Sequence, residues 1–166
     1  MHDYLGMQID LSKDGLVQIL MREYITKILD EIPDEFDGEA TTPAANHLRK
    51  VDDGCIKLSE EREEFFHHNV AKLLFLSKRA RFDIQIAISF LTTRVKSPDE
   101  DDYKKLARTM RYLRAAVDLT LTLEADGLGT IKWGVDVAFA VHQNIRGHTS
   151  AVTSLGKGAA FSLSVK

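Results

Sequence analysis

The sequence predicts an α+β chain: an N-terminal β-hairpin and helix, a small three-helix bundle, then an antiparallel β-meander. Three observations predict it. Apolar residues alternate with polar ones on either side of an Asp-Gly turn near the N-terminus, recur at helical spacing between residues 59 and 116, and return to alternation from Leu119 onward. The matching parts are residues 1–58, 59–116 and 117–166.

Residues 4–10 and 15–20 are short apolar-rich runs separated by Ser12-Lys13-Asp14-Gly15, and Asp-Gly is a strong hairpin signal. Met21, Tyr24, Ile25, Ile28 and Leu29 then follow the i, i+3, i+4, i+7 rule of an amphipathic helix that stops before Pro33. From Glu31 to Asp53 no period is sustained, Pro33 and Pro43 occur, and acidic residues cluster, which reads as a linker or surface loop.

Ser59 is a plausible N-cap for a helix running to about Arg79, with Glu60 and Glu61 in its first turn opposing the helix dipole. Asp83 to Thr93 is apolar nearly all round, as suits a helix buried between neighbours. Ser97-Pro98 reads as an N-cap followed by proline at the first helical position, opening a third helix through Tyr103, Leu106, Met110 and Leu113. Leu119, Leu121 and Leu123 alternate with threonines, Asp126-Gly127-Leu128-Gly129 turns the chain, and β-prone runs follow at 130–141, 149–155 and 159–165. A sheet that stops at Lys166 without a covering helix exposes one apolar face.

The chain has 166 residues, 44% hydrophobic and 28% charged, with a formal net charge of −3. That composition suits a globular chain and gives no global basic signature, so any nucleic-acid contact must come from a local patch. One cysteine, Cys55, excludes an internal disulfide framework. No run approaches the roughly 18 apolar residues of a membrane span, and no secretory signal is visible, so an intracellular protein without membrane contact is expected.

A local basic patch does exist. Lys78, Arg79 and Arg81 precede the second bundle helix, and Lys104, Lys105, Arg108, Arg111 and Arg114 recur at helical spacing on the third. Such a stripe can follow a phosphate backbone by sequence-independent contacts, and an ordinary solvated helix face is the plain alternative. The remaining candidates read more plainly. Asp52-Asp53 lies in a loop and Asp101-Asp102 in a helix start. Adjacent His67 and His68 point about 100° apart and chelate poorly. His142 and His148 read as polar turn residues, and Gly156-Lys157-Gly158 as a tight turn lacking the spacing of a phosphate loop. Trp133 and the phenylalanines suit core packing.

Five segments in order carry a family resemblance: Tyr4-Leu5-Gly6-Met7-Gln8-Ile9, Thr42-Pro43, Arg81-Phe82-Asp83-Ile84, Thr109-Met110-Arg111-Tyr112-Leu113-Arg114, and Val135-Asp136-Val137-Ala138-Phe139-Ala140-Val141-His142 followed by Gly147-His148-Thr149-Ser150 and Leu155-Gly156-Lys157-Gly158-Ala159. Together they resemble copia-type retrotransposon polyproteins, from just after the polymerase active site into the opening strands of the ribonuclease H domain. Ala80 and Phe82 stand where Thr and Pro are usual in the third segment.

The resemblance implies that the bundle is the polymerase thumb, gripping an RNA–DNA hybrid or template-primer duplex. It implies that the rest of the polyprotein is a partner and that the polymerase carboxylates lie upstream. It also implies that Asp136 is the first ribonuclease H carboxylate. Both activities use clustered carboxylates and two metal ions. Mg²⁺ is therefore expected in the intact parent, at Asp136 only once missing residues complete the site, and not tightly on this chain alone, which is expected to be inactive. A domesticated or degraded binding or structural domain without enzymatic activity is the alternative.

Overall fold

A computed structural model describes residues 1–52, 54–142 and 145–166. Among the described residues four helices and two antiparallel sheets make an α+β fold with an N-terminal hairpin.

The first surprise lies in residues 4–10, which fold back on themselves. Strand β1 (His2–Tyr4) and strand β2 (Met7–Asp10) pair antiparallel, with Tyr4 opposite Met7. Between them Leu5 and Gly6 both take positive φ, 50° and 76°, the backbone of a two-residue turn whose twist matches that of the flanking strands. Leucine gives no warning of such a conformation, so the run reads locally as one strand. The expected turn at Asp14-Gly15 forms, with Gly15 at φ 73°, and joins β2 to β3 (Leu16–Leu20).

Helix α1 (Arg22–Asp30) buries Ile25 and Ile28 in the core along with Met21, the stripe its spacing demands. The segment after it is irregular and mostly exposed, as expected of a surface loop, but Phe36 and Leu48 anchor it to the core. One 3-10 turn, Asp34–Phe36, inserts Phe36 at 1% exposure between Phe65 and Tyr103, its ring edge-on to both at 5.7 and 4.9 Å. Leu48 and Leu58 also reach the core.

Helix α2 (Glu60–Ser77) starts after Ser59 as expected and buries Phe66, Val70, Leu73 and Leu76. A 3-10 turn at Phe82–Ile84 leads into α3 (Gln85–Thr92), whose Ala87, Ile88, Phe90 and Leu91 are all buried. Helix α4 (Glu100–Ala115) begins two residues later than Ser97-Pro98 suggests. Its N-cap is Asp99, whose carboxylate accepts from the backbone N–H groups of Asp101 and Asp102, while Asp102 accepts from the Asp99 N–H. That reciprocal pair satisfies helix donors that serine at position 97 is too far away to reach.

The C-terminal part contains the largest departure from local pattern. Strand β4 (Leu121–Ala125) does not open a separate meander but pairs with β3, Leu16 opposite Glu124 and Ile19 opposite Leu121. Strands β5 (Lys132–Ala138), β6 (His148–Ser154) and β8 (Phe161–Val165) form a three-stranded sheet in that order. Between β6 and β8 the two-residue β7 (Gly156–Lys157) crosses to pair with β4, extending the first sheet to five strands ordered β1-β2-β3-β4-β7.

Glycine permits that crossing. A Cβ on Gly156 would lie 2.4 Å from the Glu124 carbonyl oxygen, and one on Gly158, at φ 74°, would lie 2.1 Å from that of Thr122. Gly158→Ala is expected to cost more than about 1 kcal/mol, through steric collision and a disfavoured left-handed backbone. A urea melt of the variant checks this, and an unchanged midpoint refutes it.

The smaller sheet lays one face on α3. Gln85 donates to the Ser162 carbonyl at 3.0 Å and Ser89 to that of Ser164 at 2.9 Å. Its other face carries Trp133, Val135 and Val137, each about two-thirds exposed, beside Phe161 and Val165. Trp133 is therefore not a core residue, since nothing among the described residues covers that face.

Candidate nucleic-acid interface

The basic residues of α4 point toward the segment that follows α1, and the chain uses most of them there. Arg111 donates from Nε to the Asp37 carbonyl at 2.8 Å and from Nη2 to that of Glu35 at 2.9 Å. Arg114 reaches the Phe36 and Gly38 carbonyls, both at 3.3 Å, and the Asp37 carboxylate at 3.1 Å. Lys105 is buried; its ammonium meets the Lys50 carbonyl at 2.6 Å and the Asp101 carboxylate at 2.7 Å. Thr109 adds a bond from its hydroxyl to the Pro43 carbonyl. This face of the helix is thus a clamp for residues 35–50, whose carbonyls have no strand partner and need donors.

Two members remain differently placed. Lys104 is exposed, and Arg108 is half-buried with Nη2 donating to the Thr42 hydroxyl at 2.9 Å. Among the described residues neither has a carboxylate within ion-pair distance. Beside them the clamped segment brings His47, while Arg49 and Lys50 line a neighbouring cleft with Ile86, Val141 and His142. These three were not singled out from the sequence, although His47-Leu48-Arg49-Lys50 is a basic run that could have raised them.

The basic residues before α3 do not join this flank as a group. Arg81 is 1% exposed, its guanidinium spanning the Asp83 carboxylate at 2.7 Å and the Ala116 carbonyl at 2.8 Å, so it has no surface left for a phosphate. Tyr112 donates to the same Asp83 carboxylate, and burial, with Asp83 beside it, pushes its hydroxyl above the usual tyrosine range. Arg79 lies flat on Phe75, 3.6 Å from the ring centre. Lys78 is exposed at the far side, near Ser89 and Lys166.

Asp136 is exposed in the middle of β5, with Ser150 opposite it on β6 and Ser164 beyond on β8. The Ser164 hydroxyl is occupied by His148. One carboxylate and one free hydroxyl do not fit Mg²⁺, which requires several oxygen ligands in octahedral array. Of the other acidic pairs, Asp52 accepts from the Gly54 N–H at 3.0 Å, Asp53 lies outside the described residues, and Asp102 belongs to the cap of α4. His67 and His68 stack with ring centres 6.4 Å apart, and no group of three potential metal ligands occurs among the described residues.

His142 and His148 do flank the connection between β5 and β6, yet both are buried, at 5% and 4% exposure. His142 Nε2 lies 3.1 Å from His148 Nδ1, and His148 Nε2 lies 2.7 Å from Ser164 Oγ. Strand alternation aims His148 at the α3 side of the sheet, which no local turn signal reveals. Burial lowers both pKa values from the ordinary 6.5, with Lys166, His148 and Arg49 adding repulsion at His142 and Arg49 at His148.

The sign follows. Both groups resist protonation more in the folded than in the unfolded chain, so their stabilisation is full above pH 6.5 and is lost as pH falls through the lower folded values. The melting temperature is expected to fall between pH 7.5 and pH 5. A His142→Gln, His148→Gln double variant should flatten that slope. An equal slope in variant and parent removes this account.

No described helix is long and apolar enough to cross a membrane. No protein-family model, no curated protein and no solved structure matches the chain.

Proposed function

We propose that the chain is part of a copia-type reverse transcriptase and ribonuclease H polyprotein, acts inside the cell, and contributes contacts to an RNA–DNA hybrid or template-primer duplex. The observation that carries this reading is the cleft where Lys104 and Arg108 of α4 meet His47, neither of the two basic side chains having a carboxylate within ion-pair distance among the described residues. Positive charge gathers there, on a chain whose formal net charge is −3. Contacts of this type are sequence-independent and arise from release of counterions by neutralised phosphates.

The test is binding of a short RNA–DNA hybrid at increasing salt. The logarithm of affinity should fall linearly with the logarithm of salt concentration. Lys104→Glu with Arg108→Gln should weaken binding at low salt by about tenfold or more. Charge reversal at Arg111 is uninformative, because it would release the 35–38 segment. No binding at low salt removes the reading.

A second reading, a binding or structural domain without enzymatic activity, is favoured by the surroundings of Asp136, where register brings serines and no second carboxylate. In the first reading Mg²⁺ belongs to the intact parent, where further carboxylates complete the site. Mg²⁺-dependent cleavage of the hybrid by this chain, abolished by Asp136→Asn, would overturn the second.

A further inference from the structure

We propose that the cleft between α4 and residues 39–48 is a seat for one phosphate group, either the phosphate of a nucleic acid or free inorganic phosphate. The inference rests on the nucleic-acid reading of this flank and sharpens it from a charged surface to a defined pocket. The cleft holds about 250 Å³ and is lined by Lys104, Lys105, Arg108 and Arg111 on the helix, with Ala40, Ala44, Ala45 and His47 opposite.

Charge selects an anion. Four cationic side chains face two carboxylates, Glu39 and Asp101, so the lining carries two positive charges in excess. Asp101 is already answered by Lys105. Arg108 and Arg111 are held only by a hydroxyl and by carbonyls, which fix their positions without neutralising them. Arg108 also keeps a buried Nε–H with no acceptor among the described residues. A guanidinium whose charge is unanswered and whose donors are only partly used is suited to an oxyanion, which it binds in planar geometry.

Size and lining select phosphate over a nucleotide. The volume falls below the roughly 300–1,000 Å³ of pockets that enclose drug-sized ligands. The walls include no Phe, Tyr or Trp on which a base could stack, and the small alanines leave room for a compact anion.

The test is titration of inorganic phosphate and pyrophosphate into the full chain at low ionic strength, followed by backbone amide shifts. Saturable shifts confined to residues 39–48 and 101–111 are expected. Arg108→Gln should weaken the affinity by about tenfold, as should Lys104→Gln, whose exposed side chain makes it safe for folding, while Lys78→Gln should leave it unchanged. Absence of shifts, or shifts spread equally over Lys78 and Arg79, overturns the seat.

A second arm compares hybrids ending in a 5′-phosphate or a 5′-hydroxyl. Tighter binding of the phosphorylated end, lost in Lys104→Gln, supports a terminal phosphate as occupant; equal binding of both, weakened by that variant, supports a backbone phosphate. Phosphate saturation without hybrid binding supports the seat and removes the nucleic-acid reading. Hybrid binding indifferent to Lys104→Gln and Arg108→Gln, with no confined phosphate shifts, overturns the seat alone.

Discussion

Arg94→Met is expected to cost about 3–5 kcal/mol of folding stability, because it removes one partner from a buried charge cluster and leaves the others behind. Arg94 donates from Nε to Asp102 at 2.9 Å and from Nη2 to Asp99 at 3.0 Å, and those carboxylates are 1% and 3% exposed. Desolvation already raises the pKa of Asp102 above its ordinary value, with Arg94 working against that rise. Without the guanidinium the rise grows.

The pH dependence has a definite sign. A carboxyl whose folded pKa lies above its unfolded value is tolerated best when protonated, so its contribution is most favourable at low pH and worsens as pH rises through the folded value. The deficit of Arg94→Met relative to the parent should therefore shrink from pH 7 toward pH 4. Adding Asp102→Asn should restore part of the loss at pH 7. Denaturant melts of the parent, the single variants and the double variant measure this, and a deficit independent of pH would refute the charge argument.

Phe36→Ala is expected to have a comparable effect, about 3–5 kcal/mol, the ordinary cost of truncating a fully buried phenylalanine. The ring lies in a segment that composition marks as a loop, so a surface reading of residues 31–53 predicts almost no effect. Phe65 and Tyr103 would lose an edge-on partner, and the clamp from α4 would lose the anchor that holds its carbonyls in place. Limited proteolysis should then cut between residues 34 and 50 at rates the parent does not show. A loss below about 1 kcal/mol would return this segment to the surface.

These two positions illustrate what a local reading of the sequence can reach. The periods of α1, α2 and α4 were legible because an amphipathic stripe is written in residues three and four apart. The Asp14-Gly15 hairpin was legible because glycine marks its turn. Phe36 was not, since one aromatic residue amid Asp34, Glu35 and Asp37 has no period to betray its direction. The β3–β4 pairing joins residues more than a hundred positions apart, and alternation identifies a strand without naming its partner.

The candidate interface divides in the same way. Helical spacing did gather Lys104, Lys105, Arg108 and Arg111 on one helix. It could not say that carbonyls of residues 35–50 would consume Lys105 and Arg111, nor that Arg81 would be enclosed with Asp83. Charge patterning counts cations without counting the acceptors that folding presents to them. The burial of His142 and His148 is hidden for a related reason: six residues of separation mark a turn, whereas strand direction decides that His148 faces inward.

The passage of β7 from one sheet to the other has a consequence for how the chain can be divided. A cut near residue 116, where helix gives way to strand, looks like a clean boundary, yet it would strip β4 and β7 from the edge of β3 and leave the N-terminal hairpin with an open flank. Residues 156–157 act as a rivet, so the C-terminal sheet and the N-terminal one are expected to exchange their amide hydrogens as a single cooperative unit. Expression of residues 117–166 alone would then yield not a smaller domain but half of a shared one.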